Sequence, residues 1–216
     1  MRKMLRALRF RKLITGVYTK RFQKYGRQPS GVYWSDKDRQ LSRFSIILNQ
    51  VAAVLPKGSV SIADVGCGYG ALAHHLRNGV NSDYIRYHYT GYDINPTLIR
   101  ACRGAPGIPS KQFKLGDCPS EVVDFSVMSG TYNMSVTRDL DHWETYILDC
   151  LERCWRYSRH GMVFNLLSAD YSYISEGMLY HSNIHNIRRY CRSNFGATRI
   201  IREARLPSDA TLVVVR

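Results

Sequence analysis

The chain has 216 residues, with 31 Lys and Arg against 17 Asp and Glu, a formal net charge of +14. At roughly 150 residues per domain this length suits one domain with an appendage, and a chain of this size buries roughly 70% of its unfolded surface without staples. An apolar fraction of 44% and a charged fraction of 22% exclude wholesale disorder.

The charge is concentrated at the start. Residues 1–35 carry ten basic side chains and no acid, and residues 36–216 are left with a net charge of only +4. Such a block points to an anionic surface: phospholipid, acidic glycan or nucleic acid. Phe10, Leu13, Ile14, Val17 and Tyr18 recur at helical spacing among these charges. That pattern fits a solvated basic helix packed on its own domain, and equally an interfacial helix facing lipid headgroups. Gln28-Pro29-Ser30-Gly31 is a break, so residues 1–31 are expected to form a basic amphipathic arm and residues 32–216 the folded domain. No apolar run reaches the ~18 residues that span a bilayer, and the N-terminus lacks the apolar core of a secretory signal. An Arg-rich, acid-free start would suit a mitochondrial transit peptide, but no serine precedes Ser30.

Ser35 followed by Asp38 reads as a capping box, opening a helix with the apolar stripe Leu41, Phe44, Ile47, Leu48, Val51 and Leu55. Pro56-Lys57-Gly58 stops it. Residues 60–65 are a buried-strand run that enters the cluster Gly66-Cys67-Gly68-Tyr69-Gly70, and a short helix over 71–78 closes at Gly79. A strand follows over 84–94, then a helix opened by Asn95-Pro96. Short strands are expected at 113–115 and 125–128. An amphipathic helix covers 141–158 through Trp143, Ile147, Leu151 and Trp155; a buried strand covers 162–167 and a helix 183–194, ended by Gly196. The tail reads as strands at 198–206 and 210–216 about a Pro207-Ser208-Asp209 turn. Alternating strands and helices predict an α/β fold: a doubly wound, mostly parallel seven-stranded sheet with an antiparallel C-terminal strand. Cys67, Cys102, Cys118, Cys150, Cys154 and Cys191 show no metal-ligand spacing, and no metal is expected. A reducing compartment is the default, hence a cytoplasmic location, peripheral on the inner face of the membrane if the arm docks there.

The glycine cluster carries the chemistry. Glycine after a strand lets the backbone turn sharply and approach a ligand without a Cβ clash. Asp93 ends the next strand, where a carboxylate can accept both hydroxyls of a ribose. Gly66-x-Gly68-x-x-Ala71 also fits the dinucleotide fingerprint. Two features oppose that reading. Asp64, two residues before the first glycine, would repel a pyrophosphate but suits a sulfonium-bearing amino acid. Asp93 also lies 27 residues after Gly66, later than the roughly 20 typical of the NAD pattern.

On these residues the chain resembles the class I S-adenosylmethionine-dependent methyltransferases. The resemblance rests on Asp64-Val65-Gly66-Cys67-Gly68-Tyr69-Gly70, Tyr89-Thr90-Gly91-Tyr92-Asp93-Ile94, Leu115-Gly116-Asp117-Cys118 and Met128-Ser129-Gly130, and covers about residues 32–216. It is similar in particular to small bacterial members with Gly31-x-x-Trp34 before the first domain helix, Ser129-Gly130-x-x-Asn133 after the fourth strand and Phe164-Asn165 in the fifth. The resemblance implies a Rossmann-like methyltransferase fold with S-adenosyl-L-methionine as cofactor. It implies that Asp64, Gly66 and Gly68 hold the methionine part, with Cys67 also contacting the cofactor and Arg43 a partner for the methionine carboxylate. Asp93 would take the ribose hydroxyls, Ile94 would lie against the adenine, Asp117 would accept from the adenine amino group, Cys118 would line the ring and Ser129 would close the site. Trp34, Tyr132 and Asn133 are expected to line the acceptor pocket.

Methyl transfer from a sulfonium asks mainly for alignment in a dry pocket. A base is needed only where the acceptor must lose a proton, as a hydroxyl must, and the candidates are His142 and His181. His74 and His75 read as packing or surface residues. Related sequences commonly have a Tyr-Tyr pair and Ala-Asp-Pro where this chain has Tyr180-His181-Ser182-Asn183-Ile184, so a shared acceptor does not follow. The Pro-Pro box for amino groups on bases is absent, and Cys118 precedes Pro119 where a cytosine-directed nucleophile would follow proline. The expected reaction is therefore methyl transfer to a hydroxyl or similar heteroatom of a small molecule, a glycan or a lipid-linked intermediate. The arm would dock on an anionic membrane and be removable without loss of cofactor affinity. The alternatives are an RNA methyltransferase gripping phosphates through the arm, with Tyr18, Phe22 and Tyr25 stacking on bases, and a non-catalytic cofactor-binding module.

Overall fold

The apolar strand runs alternate their side chains between two faces, and each face takes its own helical layer. The computed structural model describes residues 2–34, 36–78 and 84–216, with side chains from Leu5 onward. Strands β1 (Gly58–Val65), β2 (Ile85–Asp93), β3 (Phe113–Leu115), β4 (Val123–Met128) and β5 (Ser158–Ala169) are parallel in the order β3-β2-β1-β4-β5. Strand β9 (Asp209–Val215) runs antiparallel beside β5 over Gly161 to Leu167, and β8 (Ala197–Ile201) pairs antiparallel with β9. These seven strands are the doubly wound sheet with its antiparallel C-terminal strand that the sequence predicts. The sheet has two further short strands: β6 (Tyr173–Ile174) pairs with β7 (Tyr180–Asn183), which continues parallel to the last three residues of β5. A polar four-residue strand and a two-residue one are too short to show a period of two, so sequence reading leaves them as loop.

On one face, Val60, Ile62, Phe125, Val127, Val163 and Val213 pack under α2 (Lys37–Val54), α3 (Ala71–Arg77) and α4 (Pro96–Arg103). On the other, Ala63, Val65, Met128, Met162, Phe164 and Leu212 pack under α5 (Leu140–Arg156) and α6 (Ile184–Asn194). Asn95 caps α4 by accepting from the amides of Thr97 and Leu98, as expected. The cap of α2 is Asp36, whose side chain accepts from the Arg39 amide at 2.8 Å. Ser35 of the expected capping box, and Gly79 at the end of α3, lie outside the described residues.

Helix α1 (Arg2–Tyr25) does not stand apart as an arm. Phe10 is buried in the core of the second face, with its ring 6.0 Å from Trp143 and 5.7 Å from Tyr146. Asn95 Nδ2 donates to the Thr15 carbonyl at 3.2 Å and to Thr19 Oγ1 at 3.0 Å. The apolar stripe at residues 10, 14 and 18 therefore faces the domain, and the boundary expected near residue 32 is a short turn rather than a linker. Among the described residues no helix is long and apolar enough to cross a membrane.

Candidate active site

Chain order reverses between β1 and β4, and in open α/β sheets ligands bind at that reversal, beyond the carboxyl ends of the strands. A cleft open to solvent lies there, at the place where α/β folds bind small ligands. Its walls come from the ends of β1 (Asp64, Gly66, Cys67), β2 (Asp93, Ile94) and β4 (Ser129, Gly130, Tyr132), and from Gly116 and Asp117 after β3.

Gly66 sits at φ +79, and a Cβ there would come within 2.5 Å of Thr131 Cγ2. Only glycine lets the loop after β4 close onto the loop after β1, where Thr131 Oγ1 donates to the Val65 carbonyl at 2.8 Å. The loop in turn positions an acid: Gly68 N donates to Asp93 Oδ2 at 2.9 Å and Asn95 N to Asp93 Oδ1 at 2.8 Å. Each carboxylate oxygen is thus fixed by a backbone amide, with the Ile94 amide bonding the group as well, and a carboxylate has acceptor positions beyond these for a ligand. Asp64 accepts from the Tyr89 hydroxyl at 2.8 Å. Burial pushes Asp64 up to about 7 and Asp93 up to about 6, because a desolvated carboxyl resists ionising. Among the described residues no salt bridge reaches either acid, so a cationic ligand group meets an electrostatically matched wall. Ser129 Oγ and the Tyr132 hydroxyl also line the cavity, buried and without a hydrogen-bond partner among the described residues. Burial pushes the Tyr132 pKa well above its ordinary value, so it is a neutral donor. The carboxylate of Asp117 is gripped by Arg153 Nη2 at 2.7 Å and by Arg11 of α1.

Of the expected site residues, Trp34, Asp64, Gly66, Cys67, Asp93, Ile94, Asp117, Ser129 and Tyr132 share this one cavity. Gly68 acts through its amide on Asp93 and is not part of the wall. Cys118 and Asn133 are not wall residues either; Asn133 Oδ1 accepts from the Leu167 amide at 3.2 Å. Arg43 is buried, with Nη2 2.5 Å from Asp209 Oδ1 and its guanidinium 4.3 Å over the Trp34 ring, so it braces the wall from behind. Neither histidine reaches the cavity. His142 is exposed on α5, its Nδ1 2.6 Å from Asp139 Oδ2, and His181 stacks on the Tyr173 ring at 4.6 Å.

Sequence reasoning missed Ile14 and Tyr18 of α1, Gln40, Tyr69 and Leu98 as wall residues. The helical stripe through residues 14 and 18 was the signal for the first two. The expectation that the arm is dispensable to the site is corrected accordingly. Burial and the neighbouring Asp93 raise the Tyr18 pKa, and its ring meets Tyr33 edge-on at 5.4 Å.

The sheet order, the glycine loop and the cavity at the reversal make this the fold of the class I S-adenosylmethionine-dependent methyltransferases. No family model matches the chain. Its sequence is 33% identical over 111 residues to Rv1506c of Mycobacterium tuberculosis, to which methyltransferase activity is provisionally ascribed. That alignment covers 50% of this chain and 64% of the relative, so the match spans less than two thirds of the relative's length. Among solved structures, magnesium protoporphyrin IX methyltransferase from Synechocystis with S-adenosylhomocysteine superposes with a TM-score of 0.62 at 13% identity, covering 98% of this chain and 99% of that one. A Leishmania major S-adenosylmethionine-dependent methyltransferase gives 0.62 at 14% identity, covering 94% and 83%. The complex of DhpI with S-adenosylhomocysteine gives 0.59 at 12% identity, covering 96% of each. Similarity at these identities concerns the fold.

Proposed function

We propose that the protein is a methyltransferase that takes S-adenosyl-L-methionine as cofactor and methylates a hydroxyl or similar heteroatom of a small molecule, a glycan or a lipid-linked intermediate. The observation that carries this reading is the wall itself. Among the described residues, two buried carboxylates without ion partners stand beside two buried hydroxyls without hydrogen-bond partners, all lining one cavity. That donor set fits the cofactor: Asp93 suits ribose hydroxyls, Asp64 suits the positively charged amino-acid end, and Ile94 and Leu98 offer an apolar surface to adenine. Asp117, steadied by Arg11 and Arg153, is the acceptor for the adenine amino group, and Ser129 Oγ supplies a further polar contact.

Bound there, the cofactor would supply an electrophilic methyl group whose departure needs no proton. The chain would bind, orient and exclude water. Trp34, pressed flat by Arg43, and the Tyr132 hydroxyl, held neutral by burial, are the acceptor-side contacts, with Tyr132 donating to the acceptor or its neighbour. His142 and His181, both outside the wall, receive no proton-transfer role in this reading. The porphyrin named for one solved neighbour supports a small-molecule acceptor, and six free cysteines suit a reducing cytoplasm.

Isothermal titration of the full chain with S-adenosylmethionine and S-adenosylhomocysteine tests the cofactor. We expect one site per chain, with affinity falling at least about tenfold in Asp93→Ala, the loss of one charge-assisted hydrogen bond or more. No heat at roughly 1 mM ligand, the upper end of ordinary enzyme affinities, would overturn the reading. Cofactor turnover against metabolite, glycan and lipid fractions then sorts the acceptors.

A further inference from the structure

Helix α1 has two working faces. Inward, Phe10 enters the core while Ile14 and Tyr18 form part of the cavity wall. Outward, Leu5, Leu8 and Leu13 are 56%, 52% and 40% exposed, an unusual cluster of large aliphatic side chains left in water within nine residues. Between and beyond them Arg9, Lys12 and Lys20 are exposed on the same side, and the helix contains no acid.

Two kinds of anionic partner would suit the charges, and the side chains separate them. A nucleic acid binds by phosphate contacts together with aromatic rings that stack on bases. Three of the four rings of this helix are engaged elsewhere: Phe10 in the core, Tyr18 at the cavity against Tyr33, and Tyr25 under the Arg21 guanidinium at 4.1 Å; the fourth, Phe22, is half-buried. What the outer face offers instead is leucine set in a cationic field, which matches a surface that is anionic outside and apolar just beneath. We propose that the outer face of α1 docks on an anionic lipid bilayer, with Leu5, Leu8 and Leu13 entering the headgroup boundary and Arg9, Lys12 and Lys20 over the phosphates. Because the opposite face of the same helix is cavity wall, docking holds the cavity about 10 Å from the lipid, one helix diameter. The inference goes beyond the proposed reaction and does not depend on it, since docking needs neither cofactor nor acceptor.

Co-sedimentation of the full chain, without cofactor, tests it on phosphatidylcholine vesicles with and without phosphatidylglycerol. We expect binding to the anionic vesicles at least about tenfold tighter than to the neutral ones, weakening as salt shortens the screening length. Leu8→Ser/Leu13→Ser, which keeps every charge, should weaken it by about tenfold or more through lost apolar burial. Lys12→Gln/Lys20→Gln should also weaken it and leave less salt dependence. Circular dichroism of each variant confirms that α1 is intact. No binding to anionic vesicles would overturn the inference, as would equal binding to neutral ones. Leucine variants that bind like the parent, or tighter binding to a single-stranded RNA oligomer than to the vesicles, would also overturn it, assigning the face to a polyanion.

Discussion

At Asp64 and Asp93 the sequence places two carboxyls where water is scarce, and folding makes both hold their protons more tightly than an unfolded chain does. The ordinary value is 3.8, and burial raises Asp64 to about 7 and Asp93 to about 6. Between those values the folded state binds more protons than the unfolded one, so stability falls as pH rises. The contribution is fully present below about pH 4 and is lost as pH passes through about 7. Thermal melts of the ligand-free protein should therefore show a melting temperature that declines over that window, with much of the slope removed in Asp64→Asn. A ligand carrying positive charge beside Asp64 favours the ionised form, so stabilisation by S-adenosylmethionine should grow over the same window. A ligand-free melting temperature that climbs with pH through this range would contradict the assignment. These two acids were legible in the sequence because glycine and carboxylate are both demanded locally, within a few residues of a strand end. The histidines were not: a lone imidazole carries no signal of its direction, and Asp139 and Tyr173 engage the two side chains outside the cavity.

Elements far apart in the chain meet through one buried polar chain. Gly130 N, after β4, donates to Asn165 Oδ1 on β5 at 2.9 Å; Asn165 Nδ2 donates to Asp209 Oδ1 on β9 at 3.3 Å; and Asp209 pairs with Arg43 of α2, which lies over Trp34. The chain thus links both walls of the cavity, Gly130 on one side and Trp34 on the other. Burial lowers the Arg43 pKa despite its partner; among the described residues Arg43 Nε and Asp209 Oδ2 have no hydrogen-bond partner, the Arg39 guanidinium standing 4.0 Å from Oδ2. Asp209→Asn leaves the guanidinium buried without its counter-charge, a change that typically costs about 3–5 kcal/mol. Urea denaturation should show that loss, and Arg43→Met/Asp209→Asn should recover part of it, since the double variant buries no uncompensated charge. A double-variant loss equal to the sum of the separate Asp209→Asn and Arg43→Met losses would mean that the pair is not coupled. None of this was legible locally. Strand and helix periods revealed the sheet and the flanking helices, but the partner of Arg43 sits at the far end of the chain, on a strand whose charged first residue looked like part of a turn.

For the molecule as a whole, the +14 divides unevenly, yet the structure does not divide with it. Within the basic segment Arg11 meets Asp117 and Arg27, just past the helix, donates to the Ala101 carbonyl, so part of the charge is spent holding α1 down. Phe10 shares one core with Trp143 and Tyr146 of α5, so α1 cannot leave without exposing them. Opposing this, the remaining cations repel one another, and the repulsion reaches about 30 Å at 0.01 M salt against about 8 Å at 0.15 M. Packing and repulsion make separate predictions that one experiment can read. Far-ultraviolet circular dichroism, which reports α1 among the helices, and tryptophan fluorescence, which reports the core around Trp143, should melt together as one transition. Raising salt over that range should move both midpoints upward together, because screening relieves the repulsion while leaving the buried contacts unchanged. An early loss of helix signal at low salt, ahead of any fluorescence change, would instead mean that the core contact of Phe10 is too weak to hold a helix of this charge. The basic segment would then be the separable arm that its composition suggests.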